Sequence, residues 1–351
     1  PTEVWVKHDW NNQSDVNEYD HSLTYRYNAF KSINYAINAV CECATVHVLP
    51  GVYGEQVFVN KNISLIGENT ETTYLHSGTH PKTIYLPESS EAITPVILAY
   101  GGTMNQANMI LGSETISVSI QGFTFLAGSS DVSSAVVFRN VRSGCVNNAI
   151  RNTSTSNVHL GIQLWNCSSV LVDKNYVENS ENGLFIDARS NNIQVTHNWF
   201  LDNDVGVKLI NNTQEIPNDI FINYNYIDTY CSNDYGLINE ISTYTVNATH
   251  NWWGSSDGPN SAPGSEIIDP VTGTIAESVD GEYISGNVHF DHWSGIGSVP
   301  IVSQLEASVG SYIFFDASNS WAEAGYIGPE DWNSDNENFL LNDNDLSISQ
   351  Y

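Results

Sequence analysis

Apolar residues in this chain come in runs of only three to five, split by Asn, Gly and Ser, and from about residue 145 onward the runs recur. Around Asn148, Asn175, Asn198, Asn225 and Asn251 the sequence reads CVNNAI, VDKNYV, VTHNWF, INYNYI and ATHNWW. An apolar or small residue stands three before each Asn (Cys145, Val172, Val195, Ile222, Ala248), and another stands two after it (Ile150, Val177, Phe200, Ile227, Trp253). The asparagines are 27, 23, 27 and 26 residues apart. A second row begins at Gly161, Gly183, Gly206 and Gly236, each followed by period-two alternation. Two markers sharing one period predict a solenoid. Apolar runs this short are strands rather than helices, and strands stacked coil on coil, about 4.8 Å apart, make a parallel β-helix. An Asn recurring at one corner of every coil can bond the backbone above and below it, satisfying turn groups that would otherwise be orphaned.

The same alternation sorts the outward positions. Two and four residues after each row glycine lie Gln163, Phe185, Lys208 and Ile238, then Trp165, Asp187, Ile210 and Glu240. With Trp165, Phe185, Asp187 and Lys208 on neighbouring coils, this face is a candidate sugar-binding strip, and Lys208 with Asp187 a candidate surface ion pair. One residue after each ladder Asn lie Ala149, Tyr176, Trp199, Tyr226 and Trp252, an expected row of stacked aromatics. Such a row stabilises neighbouring strands and also suits an interaction surface. Asp202 and Asp204, before Gly206, are ordinary turn residues as well as a carboxylate pair.

Charge narrows the partners. Lys and Arg number 11 against 40 Asp and Glu, for a net charge of −29, which excludes the basic stripe nucleic acid requires. Charged residues are only 15% of the chain, with Asn, Ser and Thr in their place, while aromatics at 11% are too many for a disordered acidic chain. No apolar stretch is long enough to span a membrane. Five cysteines, Cys41, Cys43, Cys145, Cys167 and Cys231, keep no zinc spacing. Cys145 falls on the apolar row and reads as a core residue, whereas Cys41, Cys43 and Cys231 are candidates for cross-linking neighbours. Asn12, Asn62, Asn152, Asn166, Asn211 and Asn247 lie in Asn-x-Ser/Thr sequons, candidates for glycosylation. No cofactor is expected, calcium apart. The acidic runs at 330–338 and 342–345 offer oxygen ligands but lack the 12-residue calcium-loop pattern.

Before the repeats, Phe30, Ile33, Ile37 and Val40 share one face of a helical period, and a strand, TVHVLPG, follows. The opening AINAV…TVHVLPGVYGEQVFVNKNISLIGE, with THNWWGSSDGP at 249–259 and GNVHFDHWSG at 286–295, resembles the extracellular right-handed parallel β-helix proteins of the pectate-lyase-like superfold, especially those of archaeal cell surfaces. The resemblance covers roughly residues 4–296. It implies a right-handed parallel β-helix over 45–296 and an N-terminal arm and capping helix over 1–44, while residues 297–351 change character and are expected to form an acidic C-terminal β extension. Within that extension SVGSYIFFDASNSWAEAGYI resembles the start of a PKD-type β-sandwich module. The runs that mark polygalacturonases, pectate lyases and pectin methylesterases are missing, as are a phosphate loop and a nucleophile elbow. His197, His250 and His289 stand without a recognisable catalytic partner. The function expected is therefore a non-enzymatic extracellular structural protein, a self-assembling subunit of a surface layer or sheath, whose partners are copies of itself and possible cell-wall polysaccharide. The competing expectation is a polysaccharide-active or carbohydrate-binding β-helix.

Overall fold

In the computed structural model the described residues are 1–294, except 80, 86–91, 106–107, 111–114, 127–132, 212–214 and 230–233. The chain winds through three long parallel sheets, passing from the first to the second to the third in each coil. The first holds eleven strands, ordered from Ala29–Phe30 and Glu3–Val6 at one edge to Val288–His289 at the other. The second holds eight, from Gly51–Gly54 to Trp252–Trp253, and the third nine, from Val57–Val59 to Asn260–Ser261. One repeat shows the rule. Ser168–Asp173 lies in the first sheet, Tyr176–Glu178 in the second and Asn182–Asp187 in the third, and Asn191–Thr196 then returns to the first beside Ser168–Asp173.

The apolar rows close this tube. Val172, Val195, Ile222 and Ala248, with Val177, Phe200, Ile227 and Trp253, are all fully buried in one continuous core. Ile162, Leu184, Val207 and Leu237, each following a row glycine, fill it from the third sheet. The glycines themselves are there for space. A Cβ on Gly161 would stand 2.5 Å from the carbonyl oxygen of Gly183, and one on Gly183 would stand 2.7 Å from that of Gly206. Neighbouring backbones approach so closely at this corner that only hydrogen fits.

At the first edge, helix α1 (Gln13–Tyr19) is capped by Asn12 and helix α2 (Ile33–Ala39) by Ser32. Phe30, Ile33, Ile37 and Val40 are buried and α2 packs over the first coil. The Glu55 carboxylate reinforces the α2 start, accepting from the backbone N–H groups of Ile33 and Asn34 at 2.7 and 3.2 Å. The arm does more than precede the solenoid, because Glu3–Val6 pairs in register with Ala44–Val48.

On either side of Pro95–Tyr100 the strands Ile84–Tyr85 and Ala92–Ile93, then Thr103–Asn105 and Asn108–Ile110, form a separate four-stranded sheet. Ile84 and Ile93 join Leu98, Tyr100, Val137 and Trp165 in a second cluster separate from the solenoid core. Cys43 and Cys145 form a disulfide across 102 residues. The proposed extension over 297–351 lies outside the described residues.

Candidate functional site

Trp165, Phe185, Asp187 and Lys208 do point away from the solenoid core, as alternation requires, but they do not form an open strip. Trp165, Asp187 and Gln163 are fully buried, and Trp165 joins the second cluster. Arg139 is also buried and lies over the Trp165 ring at 5.9 Å, while Trp165 and Phe185 pack at 5.0 Å. The Trp165 Nε1–H donates to Gln163 Oε1 at 2.8 Å, and Gln163 in turn donates to Ser134. Asp187 accepts from Arg189 Nε at 2.7 Å, from the backbone N–H of Asn166 at 2.7 Å and from Ser190 Oγ at 3.1 Å. The expected pairing of Asp187 with Lys208 is therefore corrected: Arg189 takes the carboxylate, and Lys208 pairs with Glu240 at 3.1 Å. Asp187 needs those donors, since a buried carboxylate is costly unless fully hydrogen-bonded.

The second outward region lies along the second sheet. Tyr176, Trp199, Tyr226 and Trp252 are cross-strand neighbours, with successive ring centroids 6.5, 4.9 and 6.1 Å apart. Beside them runs a second column that sequence reading noticed only in part. His197, Tyr224, His250 and His292 all occupy left-handed turn positions, with φ of 55–65°, and their rings stack at 6.1, 5.0 and 6.2 Å. Rings stacked on one another spend their faces on their neighbours and leave edges outward. His197 Nδ1 meets Asp173 at 2.9 Å. Burial pushes the Asp173 carboxyl up, but the His197 hydrogen bond and charge outweigh it and hold the group below its usual range. Burial, with His292 and His289 nearby, pushes His250 down.

Between these columns stands the asparagine ladder, and one of its expected members is wrong. Asn175, Asn198, Asn225 and Asn251 are buried, and each side-chain oxygen from Asn198 onward accepts the backbone N–H of the ladder residue one coil earlier, at 2.9–3.0 Å. Asn148 is not among them. Its strand pairs it with Val170, five residues before Asn175, and its amide serves Val118 and Ser168 instead. The ladder place on that coil belongs to Thr153, whose N–H and hydroxyl both donate to Asn175 Oδ1. The same shift corrects two other expectations. Ser154, not Ala149, stands beside Tyr176, and Cys145 is an exposed turn residue rather than part of the core.

A second ladder, which the sequence did not reveal, follows the other corner of the second sheet. The backbone N–H of Ser180 donates to Asn203 Oδ1 at 3.0 Å, and that of Thr229 to Glu282 Oε1 at 2.8 Å. Thr229 Oγ1 donates to Glu282 Oε2 at 2.5 Å. Glu282 is buried, and burial pushes its carboxyl up to about 7.

The disulfide removes Cys43 from the cross-linking candidates, because its sulfur is bonded to Cys145 of the same chain. Cys41 is an exposed free thiol, Cys167 is buried with its thiol pushed up to about 12 by that burial, and Cys231 lies outside the described residues. Among the sequons, Asn12, Asn152 and Asn211 are exposed. The side chains of Asn62, Asn166 and Asn247 are held by hydrogen bonds to Glu42, Asn140 and Asn223 respectively. Among the described residues no three His, Cys, Asp or Glu side chains gather as a metal site would require, and the two acidic runs considered for calcium lie outside those residues. Among them, too, no helix is long and apolar enough to cross a membrane.

The family model for the right-handed β-helix region matches residues 107–251, the span that contains both sequence rows and the asparagine ladder. The fold is a right-handed parallel β-helix. Solved structures similar to this β-helix include the pectin methylesterase PemA of Erwinia chrysanthemi, at 10% identity over 83% of this chain and 89% of that one, with a TM-score of 0.38. The pectin methylesterase of Yersinia enterocolitica matches at 12% identity over 75% and 91%, with a TM-score of 0.20. The A-module of the Azotobacter vinelandii mannuronan C-5 epimerase AlgE4 matches at 12% over 74% and 92%, with a TM-score of 0.22. No curated protein matches the sequence significantly.

Proposed function

We propose that the chain is a non-catalytic extracellular structural protein, a self-assembling subunit of a cell envelope of the surface-layer or sheath kind. The observation that carries this reading is the fate of the outward aromatic rows, which stack along the axis on one another and stiffen the rod instead of offering ring faces to a ligand. A disulfide fits an oxidising compartment. A net charge of −29 suits a salty, cation-rich surface and repels acidic polysaccharides. The test is negative-stain electron microscopy of the full chain at high calcium and salt, with and without reductant. Ordered sheets, tubes or filaments are expected, and monomers under every condition would overturn the reading.

A second reading, a polysaccharide-active or carbohydrate-binding β-helix, draws on one specific observation. Arg139, Gln163, Trp165, Asp187 and Arg189 bring guanidinium, amide, indole and carboxylate together on one side of the third sheet, the mixture of groups that holds sugars, with the buried members backing the partly exposed Phe185 and Lys208 rather than meeting a ligand themselves. It expects neutral or acidic oligosaccharides to bind in calorimetry and Lys208→Ala, at the partly exposed edge of that face, to weaken that binding. Binding that is absent, or indifferent to this substitution, would remove it.

A further inference from the structure

We infer that copies of this chain join head to tail, the C-terminal end of one β-helix docking on the N-terminal end of the next. This rests on the self-assembly reading and names the surface that carries it.

The C-terminal end is closed by the loop between Asn260–Ser261 and Tyr283–Ser285, which are the last strands of the third sheet. The loop crosses the final coil. Ser261 N–H donates to Ala276 O, and Asp269 accepts the backbone N–H groups of Phe290 and Asp291 just beyond the last strand of the first sheet, at 2.8 Å each. Its inward side is anchored by Ala276 and Ile267 against the core. Its outward side is apolar where a cap should be polar. Ile268, Val271, Ile275 and Val279 are 49%, 66%, 42% and 88% exposed. Glu266, Glu277 and Asp280 stand exposed among them in the loop.

The opposite end has the matching character. Tyr35, on the outer side of α2, is 72% exposed, and Tyr27, just before the edge strand Ala29–Phe30, is 62% exposed. Arg26 and Lys31 are exposed on either side of that strand. An apolar centre flanked by carboxylates therefore faces one way, and two exposed tyrosines flanked by Arg26 and Lys31 face the other, although residues 1–44 as a whole still carry six Asp and Glu against three Lys and Arg. A solenoid also turns sequence order into axial position, so composition becomes polarity. All eleven Lys and Arg lie at or before Lys208, giving residues 1–208 a net charge of −8 and residues 209–294 a net charge of −12. The two ends differ in shape and chemistry, so the contact is heterologous and propagates as a filament unless rotation closes it. Both partners are net negative, so salt relieves their long-range repulsion while weakening the exposed ion pairs, and at high salt the apolar centres carry the contact.

The inference is tested with two variants of the full chain, each altered only at exposed positions. Val271→Asp with Val279→Asp disables the C-terminal end, and Arg26→Glu, Lys31→Glu with Tyr35→Asp disables the N-terminal end. Sedimentation in 0.5 M salt should find the wild type polymerised and each variant alone monomeric, with unchanged circular dichroism. A 1:1 mixture should form dimers at least tenfold more tightly than either variant with itself, because each retains the end its partner lacks. Variants that assemble as the wild type does would overturn the end-to-end contact while leaving assembly through another face. Variants that stay monomeric when mixed would overturn it too, assigning the apolar loop to a partner within its own chain. A wild type monomeric at every salt concentration would overturn both this contact and the assembly reading beneath it.

Discussion

Asn198 donates to the carbonyl oxygens of Val172 and Thr196, at 2.9 and 3.0 Å, and accepts the backbone N–H of Asn175 at 3.0 Å. Truncating it strands three buried backbone groups, each worth about 1–3 kcal/mol. Asn198→Ala should therefore lower unfolding free energy by roughly 3–5 kcal/mol in urea titration. Asn198→Thr should cost about half as much, because Thr153 already shows that a hydroxyl can occupy a rung. Glu282 behaves differently. Burial pushes its carboxyl from the ordinary glutamate value of 4.5 up to about 7, so the protonated form is favoured on folding. That stabilisation is complete below pH 4.5 and is lost as pH rises through 7. Glu282→Gln keeps an acceptor for the Thr229 N–H without the charge. It should raise stability at pH 8 by on the order of 2–3 kcal/mol and by little at pH 4, as paired melts would show.

At the scale of strands and coils, the glycine column sets a hard limit on side-chain size. Gly183→Ala brings a Cβ to 2.7 Å from a backbone oxygen and 2.9 Å from the Phe200 ring, so the coils must separate. A loss of about 2–4 kcal/mol is expected in chemical denaturation, at the upper end of what an overpacked methyl usually costs. This column and the apolar rows were legible in the sequence because every coil repeats the same constraint at the same place. Asn148 misled because CVNNAI mimics the ladder signature, whereas backbone pairing sets register and puts Thr153 on the rung. The Ser180–Asn203–Glu282 corner was hidden for the opposite reason. Its residue types vary, and Glu282 reaches Thr229 from 53 residues away. Alternation found the outward direction of Trp165 and Asp187 but not their burial, since Ile84 and Ile93, which pack with Trp165, lie in a segment without the repeat, and Asp187 is held by Arg189, Asn166 and Ser190.

For the whole molecule, the Cys43–Cys145 bond ties the entry of the first coils to the middle of the solenoid across 102 residues. Closing so long a loop restricts the unfolded chain. Cys145→Ser should therefore destabilise the fold by about 2–4 kcal/mol, measured as a lowered urea midpoint without change in the native circular dichroism. The shape was legible from the period alone, while the pairing was not, because Cys145 sat on a row that suggested burial. Stacked coils held by parallel ladders are also a machine for resisting tension. Drawn apart by its ends, the rod would release coils one after another from the C-terminal side, in even steps. The clasped length would stay silent, withholding roughly 350 Å of contour until the sulfur–sulfur bond is reduced.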